Sequence, residues 1–223
     1  MAHIHLEDGA FSIQWIIIWI VIAIAVLALC LFWVTRVKKI DNKTITLAAM
    51  CTAASFAIFQ VNLPLFGGVH MNLTSLTGIL VGPAIGGIIV LIVNILSAAI
   101  GHGGWGMVGA NFLVNMAEVT VAYGVYKAMG KLRADTFSKA AVGTLAGLFM
   151  GNVIMIAIIL ISGIQGVNQT TTELLYGLSL LVAVNMGVAI VESIVTGYVV
   201  SYIQRVRPDM LQEVAPRAAT AKQ

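Results

Sequence analysis

Long, unbroken apolar runs constrain this chain more than any other feature. Residues 14–35 are 22 in number and carry no charge, and a helix needs roughly 20 apolar residues to cross about 30 Å of hydrocarbon. The runs are continuous rather than alternating, which excludes a transmembrane β-barrel. In lipid the helix is then the one remaining way to satisfy every backbone N–H and C=O. Composition agrees: 9% of residues are charged and 60% are hydrophobic, whereas a soluble domain carries about 25% charged residues. The expected fold class is therefore an all-α polytopic membrane protein built into a lipid bilayer. The sequence pI near 9.0 does not point to nucleic acid, because the basic residues are confined to a few places. Cys30 and Cys51 fall inside apolar runs and read as buried thiols, with no disulfide or metal-cysteine spacing.

Residues 14–35 form the first predicted span. Nothing positive precedes it and its apolar core is too long for a cleaved signal peptide. Further spans are predicted over 44–61, 110–126, 140–162 and 178–203. The apolar stretch 71–100 is interrupted at Gly82-Pro83 and reads as one kinked helix or as a hairpin. The twelve Lys and Arg decide between them. They occupy three clusters: Arg36, Lys38, Lys39 and Lys43; Lys127, Lys131, Arg133 and Lys139; Arg205, Arg207, Arg217 and Lys222. Cytoplasmic placement of all three requires an even number of crossings between the first two clusters, and only the hairpin supplies it. The expectation is seven transmembrane helices, N-terminus outside and C-terminus inside. An extracellular leader covers 1–13, the transmembrane domain 14–203 and a loose cytoplasmic tail 204–223. The third span, 71–81, is about 16 Å long at 1.5 Å per residue, too short to cross. The loop 62–70 before it is expected to dip into the protein, where irregular backbone survives only by lining a cavity or packing on protein.

On this topology His3, His5, His70 and His102 all lie on the outer side, with no Lys or Arg among them. Imidazole is a common metal ligand, and neighbouring cations would repel a metal ion. Ala2 is small, so removal of Met1 is expected and leaves Ala2-His3 as the mature start. The free α-amine, the His3 amide nitrogen and the His3 imidazole then close two fused chelate rings, and a fourth nitrogen completes a plane. Such nitrogen sites suit Ni(II) and Cu(II), while Zn(II) prefers a tetrahedron and Mg(II) or Ca(II) prefer oxygen. If Met1 is retained, His3 supplies four nitrogens alone and His70 has no direct role.

Asn111, Asn115 and Glu118 are spaced to share one helix face, and Asn185 and Glu192 repeat part of the pattern. Polar groups within spans face the bundle interior; they read either as interhelical hydrogen bonds or as support for a metal site. Ala49, Ala53 and Ala57 recur every fourth residue, a pattern that permits close helix approach, either within the bundle or against another membrane subunit. Glu7 and Asp8 either attract cations or solvate the leader.

Gly68-Val69-His70-Met71-Asn72, running into Gly78-Ile79-Leu80-Val81-Gly82-Pro83, resembles the substrate-capture subunits CbiM and NikM of energy-coupling factor transporters for cobalt and nickel. Gly101-His102-Gly103-Gly104-Trp105 followed by Gly109-Ala110-Asn111 is similar to a second motif of that family. The resemblance implies a seven-span fold whose N-terminus folds back into the bundle. It implies a metal site formed by Ala2, His3 and His70, with His102 and Asn111 supporting it; Asn72 and His5 are further candidates. The family usually begins Met-His, with an acidic residue and Gly soon after. Here the leader is longer: His5-Leu6-Glu7-Asp8-Gly9 keeps the spacing to glycine, while chelate geometry favours His3. The resemblance also implies partners: a transmembrane coupling subunit, cytoplasmic ATPase subunits and a small accessory membrane subunit, expected as a separate chain because no further span follows. No GxxxxGK[ST] motif is present, so the energy is expected from a partner.

The expected function is capture and import of Co(II) or Ni(II), carried as cargo, with no cofactor and no enzyme activity. An intramembrane metalloenzyme would need a general base beside an open metal position. No HExxH or GxSxG occurs, and Glu118 would be its one candidate base. A metal-free membrane scaffold fits the composition but leaves the histidines unexplained.

Overall fold

The computed structural model describes residues 9–36, 41–60, 71–101, 103–165 and 170–211. Among these residues every regular element is helical: α1 (Ile13–Arg36), α2 (Asn42–Phe59), α3 (Thr74–Val81), α4 (Pro83–Ala99), a 3-10 turn (Trp105–Met107), α5 (Val108–Lys131), α6 (Thr136–Ser162), α7 (Thr171–Val206) and α8 (Pro208–Leu211). Among the described residues four segments are long and apolar enough to cross a membrane: Ile13–Arg36, Trp105–Lys131, Thr136–Ser162 and Thr172–Val206. α2, α4 and α3 are shorter, at 18, 17 and 8 residues. Each predicted span overlaps one of these helices.

The boundaries move where local chemistry was overlooked. α6 starts at Thr136 rather than 140 because Asp135 caps it, accepting the Ser138 N–H at 3.0 Å. Asp41 caps α2 in the same way, accepting from the Thr44 N–H and hydroxyl. These bonds hold both carboxyls below the usual range; the Thr44 hydroxyl dominates at Asp41 and the Ser138 N–H at Asp135. Each depressed pKa adds stability above the ordinary carboxylate range, and that contribution is lost as pH falls through the folded value. α7 begins at Thr171, earlier than the predicted 178, because Thr170 and Glu173 form a capping box. It also runs on to Val206, and α8 adds another turn. The predicted tail is thus corrected: its first part, from 204, is helical, while 212–223 lie outside the described residues.

The break at Gly82 is a reversal rather than a kink. Gly82 closes α3 with its N–H on the Gly78 carbonyl at 2.9 Å and takes φ 81°, ψ 168°, and Pro83 opens α4. A Cβ built on Gly86 would lie 3.6 Å from the Gly78 Cα, whereas residues eight apart on a straight helix are separated by about 12 Å. α3 and α4 therefore fold against one another, as the charge clusters required.

α5 is the axis of the packing, and glycines set how closely its neighbours approach. A Cβ on Gly78 of α3 would stand 2.6 Å from the Val119 carbonyl oxygen, one on Gly143 of α6 2.9 Å from the Ala122 oxygen, and one on Gly147 2.8 Å from the Glu118 oxygen. On the far side, a Cβ on Gly109 would meet the Ile20 backbone of α1 at 2.8 Å. These are contacts with backbone, which cannot swing aside. Close approach through small residues is how helices gain dispersion contacts in lipid. Gly143, Gly147 and Gly151 recur at every fourth position of α6, a small-residue stripe visible in the sequence itself.

Gly78→Ala and Gly147→Ala are accordingly expected to lower the thermal unfolding midpoint in detergent, each by the equivalent of about 1–3 kcal/mol. Gly124→Ala, where a Cβ meets nothing within 4 Å, is expected to leave the midpoint unchanged or raise it. Equal midpoints for all three would contradict the notch packing.

Candidate functional site

The residues proposed from sequence as direct ligands (Ala2, His3 and His70), together with His5 and His102, lie outside the described residues. So do Glu7, Asp8 and all of the loop 62–70, which was expected to dip into the protein. Among the described residues no three His, Cys, Asp or Glu side chains come together to hold a metal ion. The surroundings of that predicted site can nevertheless be built from both sides.

From the leader side, Phe11 is only 2% exposed. It packs in a core cluster with Met107, Ala110, Val114, Leu148, Ile158 and Leu178, drawn from the 3-10 turn and α5, α6 and α7. The Ala10 carbonyl accepts the Gln165 N–H at 2.9 Å, and the Trp19 indole donates to Ser162 Oγ at 2.8 Å. The chain just before α1 is thus fixed against the α6 end of the bundle by burial of an aromatic ring and by one backbone bond.

From the loop side, Asn72 is buried and does two jobs. Its Oδ1 accepts the Thr74 N–H at 3.1 Å, so it starts α3, and its Nδ2 donates across to Glu118 Oε2 on α5 at 3.4 Å. Between them Leu73 is held at φ 55°, ψ 21°, a left-handed conformation that costs a branched aliphatic residue roughly 1 kcal/mol or more. Burial of Leu73 against α3, α6 and α7 neighbours offsets it. α3 itself is buried on all sides from Thr74 to Ile79, which suits a helix lodged inside a bundle. Asn72 therefore anchors the chain two residues after His70 to the centre of α5.

Further polar pairs cross between the helices. Asn115 donates to Asn94 of α4 at 3.3 Å, and Asn185 of α7 donates to Asn152 of α6 at 2.8 Å. Ser55 of α2 and Thr77 of α3 share a hydrogen bond at 3.2 Å. Asn115 and Asn185 thus make interhelical bonds, one of the two readings of their spacing, and Glu118 accepts from Asn72 just before α3. Asn111, a turn above Asn115, is half-buried. The partners Asn94 and Asn152 were overlooked, although a lone amide inside an apolar run was signal enough. Glu118 and Glu192 are both fully buried. The Glu118 carboxyl occupies the notch over Gly151, where a Cβ would stand 2.2 Å from Oε1. Cys30 and Cys51 are free and buried, as expected.

The profile of the CbiM family, described as "Cobalt uptake substrate-specific transmembrane region", matches residues 5–210. The chain belongs to the CbiM family. A relative in Methanocorpusculum labreanum, named for cobalt transport as CbiM 1, is 27% identical over 219 residues, covering 94% of this chain and 93% of the relative. One in Archaeoglobus fulgidus, named for nickel transport as a fused NikMN, is 30% identical over 222 residues, covering 95% of this chain and 69% of the relative. Among solved structures, the crystal structure of a transition metal transporter superposes with a TM-score of 0.74 over 91% of this chain and 93% of that one, at 24% identity. The CbiM-family chain and that transporter share a fold.

Asn185→Ala is expected to leave the buried Asn152 oxygen without its 2.8 Å donor. Buried interhelical hydrogen bonds in membranes are worth about 0.6 kcal/mol on average and up to about 1.7, so a drop of that order should appear in detergent unfolding measurements. No loss would remove the α6–α7 seam from the account.

Proposed function

We propose that this CbiM-family chain is the metal-capturing membrane subunit of an energy-coupling factor importer, taking Co(II) or Ni(II) as cargo. It is a multi-pass protein of the cell membrane, and as a transporter component it performs no catalysis. The reading of the capture site is that Ala2 and His3 of the processed N-terminus supply amine, amide and imidazole nitrogens. His70 supplies a fourth nitrogen, and His5, His102, Asn111 and Asn72 support the set.

The observation that carries this reading is the burial of Phe11 in the bundle beside Met107 and Ala110. Ala10 and Phe11, next to the proposed metal-binding residues in sequence, are held against the bundle beside α5, α6 and α7, which supports a capture site there. Anchoring of Asn72 to Glu118 supports it from the other side, since it ties the chain just after His70 to the same helix. Nitrogen donors in a plane suit Ni(II), and Co(II) accepts the same ligand types.

The proposed topology has seven spans, with α3 and α4 as the third and fourth. The leader is outside, and all three clusters of Lys and Arg face the cytoplasm. The chain carries no nucleotide-binding motif, so a transmembrane coupling subunit and cytoplasmic ATPases are proposed to drive inward opening, with a small accessory membrane subunit alongside. Ala49, Ala53 and Ala57 on α2 are all exposed, which favours a partner-facing rather than an internal role for that stripe.

Titration calorimetry of the purified, correctly processed chain with Ni(II) and Co(II) tests the proposal. Residues added before Ala2 are expected to weaken binding beyond about 100-fold while the protein stays folded, and His70→Ala to do the same. His102→Ala is expected to cost about tenfold, as outer-shell groups do. Unchanged affinity in the extended chain would rule out the terminal chelate.

A further inference from the structure

The positively charged end of the bundle carries a strained residue that metal capture leaves unused. α5 ends in a turn closed by the Arg133 N–H on the Gly130 carbonyl at 3.3 Å and the Ala134 N–H on the Met129 carbonyl at 3.4 Å. That pairing puts residue 133 in the left-handed region, where glycine is the usual occupant. Gly82, Gly101 and Gly163 take positive φ just after α3, α4 and α6, whereas after α5 the residue is Arg133, at φ 58°. A side chain is penalised there, and strain of this kind clusters at functional sites. Attraction to the carbonyl end of α5 does not require it, because Lys131 already supplies a cation in the last turn.

α5, α6 and α7 each bring groups to this corner. Thr136, at the start of α6, donates to Gln204 near the end of α7, which draws the α5–α6 turn towards the part of α7 that bears Arg205. Beside it the Phe137 ring fills the notch at Gly197, where a Cβ would stand 2.7 Å from the ring, and meets the Tyr198 ring edge-on at 5.1 Å. Lys139 lies back across α5: its Cδ is 4.0 Å from the Cβ position of Gly130, and its ammonium is 5.5 Å from the Tyr126 ring centre. Lys131, Arg133 and Arg205 are exposed. Asp135, the acid in the turn, accepts the Ser138 N–H. Apolar and aromatic surface is exposed between the cations. Leu132 is 78% exposed, and Tyr198 and Tyr202, spaced to share a face of α7 with Arg205, are 68% and 66% exposed.

We propose that this corner binds the headgroup of an anionic phospholipid, with Lys131, Arg133 and Arg205 around the phosphate and Leu132 and Tyr202 against the upper part of the acyl chains. α6 has 27 residues, about 40 Å of helix, which matches a bilayer measured with its headgroup layers. Its start at Thr136 therefore lies at headgroup depth rather than beyond the membrane. Basic pockets between helix ends recognise lipid headgroups. A guanidinium pairs with phosphate oxygens through two parallel hydrogen bonds, and exposed tyrosine rings suit the headgroup level. Binding of the phosphate offsets the strain at Arg133. The leader, where Ala10 accepts from Gln165, lies at the other end of α6, so this site is separate from metal capture.

Phosphatidylglycerol is the probe. The purified full chain is placed in bilayers of phosphatidylcholine alone, of phosphatidylcholine mixed with phosphatidylglycerol, and of phosphatidylcholine with free inorganic phosphate, and its thermal unfolding midpoint is measured. The anionic lipid is expected to raise the midpoint by about 3 °C or more and free phosphate by less than about 1 °C. The lipid effect should shrink in about 1 M salt. Arg133→Gly removes the cation and the strain together. It is expected to unfold at or above the wild-type temperature in phosphatidylcholine, yet to lose about half or more of the rise given by phosphatidylglycerol. Arg205→Gln should lose a similar share, while Lys43→Gln, on α2, should keep the whole rise. Equal midpoints in the two lipids would overturn the headgroup site and leave the cations to an acidic partner protein. A rise with free phosphate as large as the lipid's would also overturn it, as would equal loss in Lys43→Gln, which marks diffuse attraction. An Arg133→Gly variant that is destabilised in phosphatidylcholine but keeps the lipid rise would make Arg133 a structural cap and overturn its part.

Discussion

The Glu118 carboxyl is the point on which the rest of the structure turns. It sits fully buried near the middle of α5, pressed into the space left by the missing Gly151 side chain and bonded to Asn72 at the start of α3. A carboxyl in a membrane protein interior is tolerated only where neighbouring helices give it partners and exclude lipid. That requirement brings α6 within backbone contact of α5 through its glycines and holds the half-length α3 inside the bundle. It also determines where the chain after residue 70 must run.

The same constraint separates two kinds of polar chemistry. Amide pairs such as Asn115–Asn94 and Asn185–Asn152 satisfy one another and serve as interhelical fasteners. The Glu118 carboxyl instead takes the Asn72 amide from the start of α3, and Glu192 is buried on α7. Above them the leader enters the bundle at Phe11.

The α3–α4 hairpin illustrates how far sequence reasoning reached. The break was visible at Gly82-Pro83, and its meaning came from counting charge clusters rather than from the break itself. The folded chain supplies a physical reason: Gly82 takes a backbone conformation closed to L side chains, and Gly78 and Gly86 are small enough for the two short helices to lie together. The helix starts at Thr136 and Thr171 were placed too late. Capping by Asp135 and Thr170 extends each helix into polar sequence that a hydropathy reading leaves out.

What the sequence by itself determined was whatever lipid dictates residue by residue: helices, their approximate spans, the reversal at Gly82, the polar faces of α5 and α7, and the family resemblance of the His70 and His102 motifs. Those follow because hydrocarbon leaves a backbone no alternative to internal hydrogen bonds, and because charge placement is written directly in the chain. Tertiary structure alone decided which amide meets which, that Gly143, Gly147 and Gly151 form the seam for α5, that Phe11 is buried among α5, α6 and α7, and that Ala49, Ala53 and Ala57 face outward. These are contacts between residues far apart in the chain. Their partners are selected by packing shape and by the cost of an unsatisfied buried group, and neither has a local signature to read.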